Sequence, residues 1–131
     1  MAETPDKAKA LKILVVEDNE LVAETIAEAL LDGGYEVVGP ATNLSAGLEL
    51  AQTEQLDGAL LDVNLGGRLC FPIAWVLSER NVPFLFVTGY ADAAMIPPDL
   101  RSTRQLTKPF RLADLGAVAI KAFGTRAFAA S

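Results

Sequence analysis

The chain contains no histidine. That absence removes serine–histidine and cysteine–histidine nucleophile pairs, histidine-ligated zinc and phosphohistidine carriers together, so any chemistry must run on carboxylates, hydroxyls and amines. A single cysteine, Cys70, excludes an intrachain disulfide and a cysteine-rich metal site, and fits a reducing compartment; its ordinary reading is a small, partly buried thiol. Basic residues are in deficit, 11 against 17 acidic, and the net charge of −6 opposes binding to phosphate backbones or anionic membranes. No apolar run approaches the span of a bilayer, and the opening Met1-Ala2-Glu3-Thr4-Pro5-Asp6 is acidic where a signal peptide would be basic. The expected location is the cytoplasm, with no direct nucleic-acid or membrane partner.

What is present is apolar and compact. Of 131 residues, 51% are hydrophobic and 21% charged, which predicts one domain able to bury its own core. Residues 1–10 read as a flexible tail, 11–124 as the domain and 125–131 as a second short tail, with no internal repeat. Ile13 to Val16 is a β-branched run followed by Glu17-Asp18, and Leu21 to Leu31 carries helical spacing until Gly33-Gly34 stops it. Tyr35 to Val38 reads as a strand bounded by Gly39-Pro40, and Asn43 to Gln52 as a helix. Ala59 to Leu61 is a strand ending in Asp62, Pro72 to Arg80 a helix with an early proline, and Val82 to Val87 a strand closed by Thr88. Arg104 to Thr107 is a short fifth strand before Lys108-Pro109, and Leu112 to Phe123 a last helix. Uninterrupted apolar strands alternating with helices predict a parallel sheet covered on both faces, a three-layer αβα sandwich. Pro97-Pro98 predicts a broken or irregular fourth helix between Tyr90 and Arg104.

In such a sheet, ligands bind beyond the carboxyl ends of the strands. Glu17, Asp18, Asp62, Thr88 and Lys108 all fall at strand ends. Singly, each has an ordinary reading: Asp18 a helix cap, Asp62 an acid leaving a buried strand, Thr88 a strand-end hydroxyl, Lys108 a solvated charge. Jointly they are hard to explain by packing. Three carboxylates held together repel unless one is protonated or a cation neutralises them, and magnesium suits an all-oxygen site that keeps open positions. Lys108 and Thr88 would add a positive charge and a hydroxyl donor for a phosphoryl group.

The segments Ile13-Leu14-Val15-Val16-Glu17-Asp18-Asn19, Leu60-Leu61-Asp62-Val63-Asn64-Leu65, Phe86-Val87-Thr88-Gly89 and Leu106-Thr107-Lys108-Pro109-Phe110 resemble the receiver domain of bacterial response regulators, from about Lys12 to Phe123. The resemblance implies a flavodoxin-like sheet in strand order 2-1-3-4-5. It also implies that Asp62 accepts a phosphoryl group from a sensor kinase or histidine phosphotransfer domain. Magnesium would be held by Glu17, Asp18, Asp62 and the main-chain carbonyl of Asn64, with Thr88 and Lys108 binding phosphoryl oxygens and Pro109 following a cis peptide. Partner docking is expected on the first helix at Leu21, Val22, Thr25 and Ile26, with core packing the stronger ordinary reading for Val22 and Ile26. The domain is expected to be a signalling module and not an enzyme, the whole of its protein, acting on a downstream partner or as a phosphate sink.

Two positions depart from the family pattern. Glu17 stands where an aspartate is usual, and Gln105 where the fifth strand usually carries the aromatic of a threonine-to-aromatic switch. Thr88-Gly89-Tyr90 resembles a stand-alone subset, many from alphaproteobacteria, and suggests that Tyr90 covers the phosphoryl group and, with Asn64, sets how fast attacking water reaches it. Pro97-Pro98 argues against a conventional dimer through a regular fourth helix. The alternatives are a receiver-like binding module that no longer takes phosphate, and a haloacid dehalogenase-like phosphohydrolase, whose acid two residues after the nucleophile does not match adjacent Glu17 and Asp18.

Overall fold

The computed structural model describes residues 10–125. The expected tails, apart from Ala10 and Thr125, lie outside the described residues. The elements are β1 (Lys12–Val16), α1 (Glu20–Asp32), β2 (Glu36–Ala41), α2 (Leu44–Thr53), β3 (Gly58–Asp62), β4 (Asn64–Leu65), β5 (Arg68–Leu69), α3 (Phe71–Glu79), β6 (Phe84–Thr88), α4 (Tyr90–Ala93), a 3-10 turn (Pro98–Leu100), β7 (Gln105–Thr107) and α5 (Leu112–Phe123). Five strands form a parallel sheet in the order β2-β1-β3-β6-β7, the expected 2-1-3-4-5 winding once the small β4-β5 hairpin is set aside.

Strand alternation assigns the side chains to two layers. Ile13, Val15, Leu60, Leu85 and Val87 pack with Ile26 and Leu30 of α1 and Leu115 and Ala119 of α5. Leu14, Val16, Ala59, Leu61 and Phe86 pack on the other side with Ala51 of α2 and Phe71, Ile73 and Leu77 of α3. With β1, β3 and β6 buried on both faces, their polar side chains are confined to the strand ends: Lys12 at the amino end of β1, and Asp62 and Thr88 at the carboxyl ends of β3 and β6, where the chain leaves the sheet.

Three local features differ from expectation. β2 runs on through Gly39-Pro40 to Ala41, because it is an edge strand with one paired side, where a proline is tolerated; the register slips between Leu14 and Val16 to absorb an extra residue. Asp18 is not the cap of α1: that role falls to Asn19, whose Oδ1 accepts from Val22 N at 3.0 Å. The β4-β5 hairpin was not expected. Its turn is Gly66-Gly67, at φ 64° and 97°, a left-handed pair that glycine adopts without steric cost and that suits a two-residue hairpin.

The fourth crossover is irregular, as Pro97-Pro98 implied. A four-residue α4 burying no side chain leads to Met95, and the chain is then fastened to the core by Ile96 and Leu100. Outside the core, Trp75 Nε1 donates to Asp99 Oδ2 at 2.9 Å and Arg101 Nε donates to Ile96 O at 3.2 Å.

Candidate functional site

Register determines which strand ends meet. Val16 of β1 pairs with Leu61 of β3, so Glu17 and Asp18 leave their strand beside Asp62. Asp62 pairs with Val87, and Lys108 N donates to Thr88 O at 2.9 Å, which brings the end of β7 to the same place. The Lys108-Pro109 peptide is cis, as the resemblance implied.

At this edge one oxygen from each of Glu17, Asp18 and Asp62 lies within 4.8 Å of the others. Lys108 Nζ stands 3.1 Å from Glu17 Oε1 and 3.3 Å from Asp62 Oδ2, donating a hydrogen bond to the latter. Glu17 and Asp62 are almost fully buried, 1% and 3% exposed, while Asp18 faces solvent. Glu17 Oε2 accepts from Asn19 N at 3.1 Å, whereas buried Oε1 has the Lys108 charge nearby but no hydrogen-bond donor in proper geometry. A buried carboxylate oxygen without a well-aligned donor, among three acids and one ammonium, fits a cation ligand. The donor set is all oxygen and suits a hard divalent ion.

Protonation follows from the same crowding. Burial, then the Glu17 charge and the hydrogen bonds that a protonated Asp62 donates to Glu17 and Asp18, push the Asp62 carboxyl up to about 8, with Lys108 opposing. Burial pulls the Lys108 ammonium down, but Asp62 and Glu17 outweigh it and leave the group above its usual value. Without a cation, Asp62 tends to hold a proton.

These residues line an open cleft of about 480 Å³ together with Asn64, Gly66, Gly67 and Asp92. Asn64 ties two of its walls: Oδ1 accepts from Gly67 N at 2.7 Å in the hairpin, and Nδ2 donates to Asp92 Oδ1 at 3.4 Å in α4. The glycine pair and Asp92 escaped the sequence reading. Gly-Gly between two short extended pairs is a hairpin signal that was there to be used; for Asp92, in a segment without periodicity, there was none.

Other expected positions fall differently. Thr88 is buried at the strand end, but its hydroxyl donates to Gly89 O at 3.0 Å and it does not line the cleft. Gly89 caps α4. Tyr90, expected as a cover, is 89% exposed and outside the cleft. Ile26, expected on the docking face, is wholly buried among Ile13, Val15 and Leu30, so it serves the core. Leu21, Val22 and Thr25 do face outward to different degrees, and with Pro109, Phe110 and Leu112 they wall a groove of about 590 Å³ that reaches Lys108. Cys70 is buried, and burial raises its thiol well above the usual range, in keeping with a structural role. Among the described residues no helix is long and apolar enough to cross a membrane.

Comparison with known proteins identifies the family. The chain is 30% identical over 113 residues to the transcriptional regulatory protein PdtaR of Mycobacterium tuberculosis, covering 84% of this chain and 55% of that protein. It therefore spans about half the length of that relative. The solution structure of SdrG from Sphingomonas melonis Fr1 superposes with a TM-score of 0.75 at 34% identity, covering 88% of this chain and 97% of that one. The receiver domain of sensor histidine kinase PA1611 from Pseudomonas aeruginosa PAO1, solved with magnesium in its active-site cleft, shares the fold at a TM-score of 0.70 and 23% identity, over 87% and 98% of the two chains. The response regulator receiver domain profile matches residues 13–120, and with the strand order and the acidic cleft already in place, this chain belongs to the response regulator receiver domain family.

Proposed function

We propose that residues 11–124 form a receiver that takes a phosphoryl group on Asp62 from a phosphohistidine of a sensor kinase or phosphotransfer domain, in the cytoplasm. The observation that supports this most is the cluster of Glu17, Asp18 and Asp62 around Lys108, with one buried Glu17 oxygen undonated. A magnesium ion held by Glu17, Asp18, Asp62 and the Asn64 carbonyl would neutralise the acids and draw charge from phosphoryl oxygens.

The chain's own residues do the rest. An Asp62 carboxylate oxygen forms the bond to phosphorus, the bond from phosphorus to the donor's imidazole nitrogen breaks, and that nitrogen leaves with the electron pair. Lys108, already within reach of Asp62, balances the charge that spreads over the phosphoryl oxygens. Thr88 would turn its hydroxyl from Gly89 O to a phosphoryl oxygen and report occupancy through the β6–α4 connection. The groove beside Lys108 between α1 and the start of α5 is the docking place we assign to the phosphodonor, with Leu21, Val22 and Thr25 as its contacts. The output is a downstream protein partner or a phosphate sink.

The test is intact mass after incubation with acetyl phosphate, with and without magnesium. One phosphoryl group added only with magnesium supports the reading. No adduct from acetyl phosphate or from a kinase phosphohistidine would replace it with a phosphorylation-independent binding module.

A further inference from the structure

The proposed reaction leaves one carboxylate of the cleft without a part. Asp92 lines the cavity that holds Glu17, Asp18 and Asp62, and its Oδ1 receives the Asn64 Nδ2 hydrogen bond. The ordinary explanation for an acid in a first helical turn is its favourable position in the helix field, but α4 is a single four-residue turn with little field to offer. Nor does packing demand it, since α4 buries no residue. What Asp92 does touch is Asn64, two residues beyond Asp62, and the other end of that amide is already committed to Gly67 N.

We propose that Asp92 is a positioning residue that holds the Asn64 amide against the cleft wall and so prolongs the phosphoryl group on Asp62. The proposal rests on the receiver reading. In the loss of that group, a water oxygen forms the bond to phosphorus. The bond from phosphorus to the Asp62 oxygen breaks, the carboxylate leaves with the electron pair, and the water protons pass to phosphate and solvent. A free side-chain amide next to the phosphoryl group can accept from or donate to the incoming water and hold it in line. With its oxygen on Gly67 N and its nitrogen on Asp92 Oδ1, the Asn64 amide is turned away from that task. The Asp92 bond, at 3.4 Å, is long and is the weaker of the two restraints.

The experiment compares the parent with Asp92→Ala, Asp92→Asn, Asn64→Ala and the Asn64→Ala/Asp92→Ala double variant. Each is phosphorylated with acetyl phosphate and magnesium, freed of donor and followed by intact mass. Asp92→Ala is expected to shorten the phosphoryl lifetime roughly three- to tenfold, a small part of what positioning a reactant can supply. Asp92→Asn keeps an acceptor oxygen for Asn64 and should stay within about twofold of the parent. In the Asn64→Ala background, removing Asp92 should change nothing further. An unchanged lifetime in Asp92→Ala, the same acceleration with Asn64 already removed, or an Asp92→Asn variant as fast as Asp92→Ala would each overturn the proposal.

A second readout needs no phosphorylation. In NMR spectra of the unmodified protein, the Asn64 side-chain amide signals should move strongly in Asp92→Ala and little in Asp92→Asn; signals that stay put in Asp92→Ala show that the restraint does not exist. If the parent itself takes up no phosphoryl group while these signals move as expected, the receiver reading fails and the lifetime role of Asp92 falls with it.

Discussion

The two walls of the cleft are built on opposite principles. The wall made by the ends of β1, β3 and β7 carries Glu17, Asp62 and Lys108 on buried or paired strands, with Glu17 1% and Asp62 3% exposed. The wall made by the β6–β7 connection buries nothing in α4 and is fastened to the core only further on, at Ile96 and Leu100. Reactive groups on rigid strands keep their geometry, while a segment with few buried contacts opens at low free-energy cost and is free to respond. On the proposed function, the chemistry falls on one wall and the adjustable part on the other.

The largest effect should come from the rigid wall. Asp62→Asn is expected to abolish phosphoryl uptake from acetyl phosphate, read by intact mass, without unfolding the protein, because it also removes one of three crowded acids. Next comes the anchor of the other wall: Leu100→Ala, at a position 5% exposed, should cost about 2–5 kcal/mol in denaturant unfolding. Lys108→Met withdraws the positive charge from Glu17 and Asp62 and should cost roughly 1–3 kcal/mol near neutral pH, the scale of leaving a buried polar group unsatisfied.

Titration sharpens the comparison further. In metal-free protein Asp62 is raised from 3.8 to about 8, by burial first and Glu17 second. Over that window the folded state keeps a proton that the unfolded chain has released, so this group's stabilisation is full below the lower value and is lost as pH approaches the upper one. Melting midpoints of metal-free protein should therefore fall as pH rises from about 5 to 8, Asp62→Asn should flatten the fall, and magnesium should stabilise most at the alkaline end. The smallest effect belongs to the loose wall: Tyr90→Ala, at an 89% exposed position, should change unfolding free energy by no more than about 0.5 kcal/mol. A larger loss would mean that Tyr90 is packed in solution.

The same contrast explains what could be read from the sequence. Strand ends were legible because an apolar run terminating in Asp62 or Thr88 has one physical meaning in a doubly covered parallel sheet. The broken fourth helix was legible from Pro97-Pro98 alone. Positions decided by rotation about a helix or by short-range competition were not. Val22 and Ile26 both had core packing as their stronger reading, yet only Ile26 is wholly buried, while Val22 is half-buried and lines the groove. Asp18 and Asn19 are both good caps, and only the backbone course at the end of β1 gives the role to Asn19. Asp92 was invisible because its meaning depends on Asn64, 28 positions earlier in the chain.

The most direct test of the central claim is to locate the phosphoryl group. The protein is treated with acetyl phosphate and magnesium, the acyl phosphate is trapped by borohydride reduction, and the modified residue is identified by peptide mass mapping. The account predicts reduction at position 62 alone and none when magnesium is chelated. Modification at Asp18, at Glu17, or at position 62 regardless of metal would contradict it.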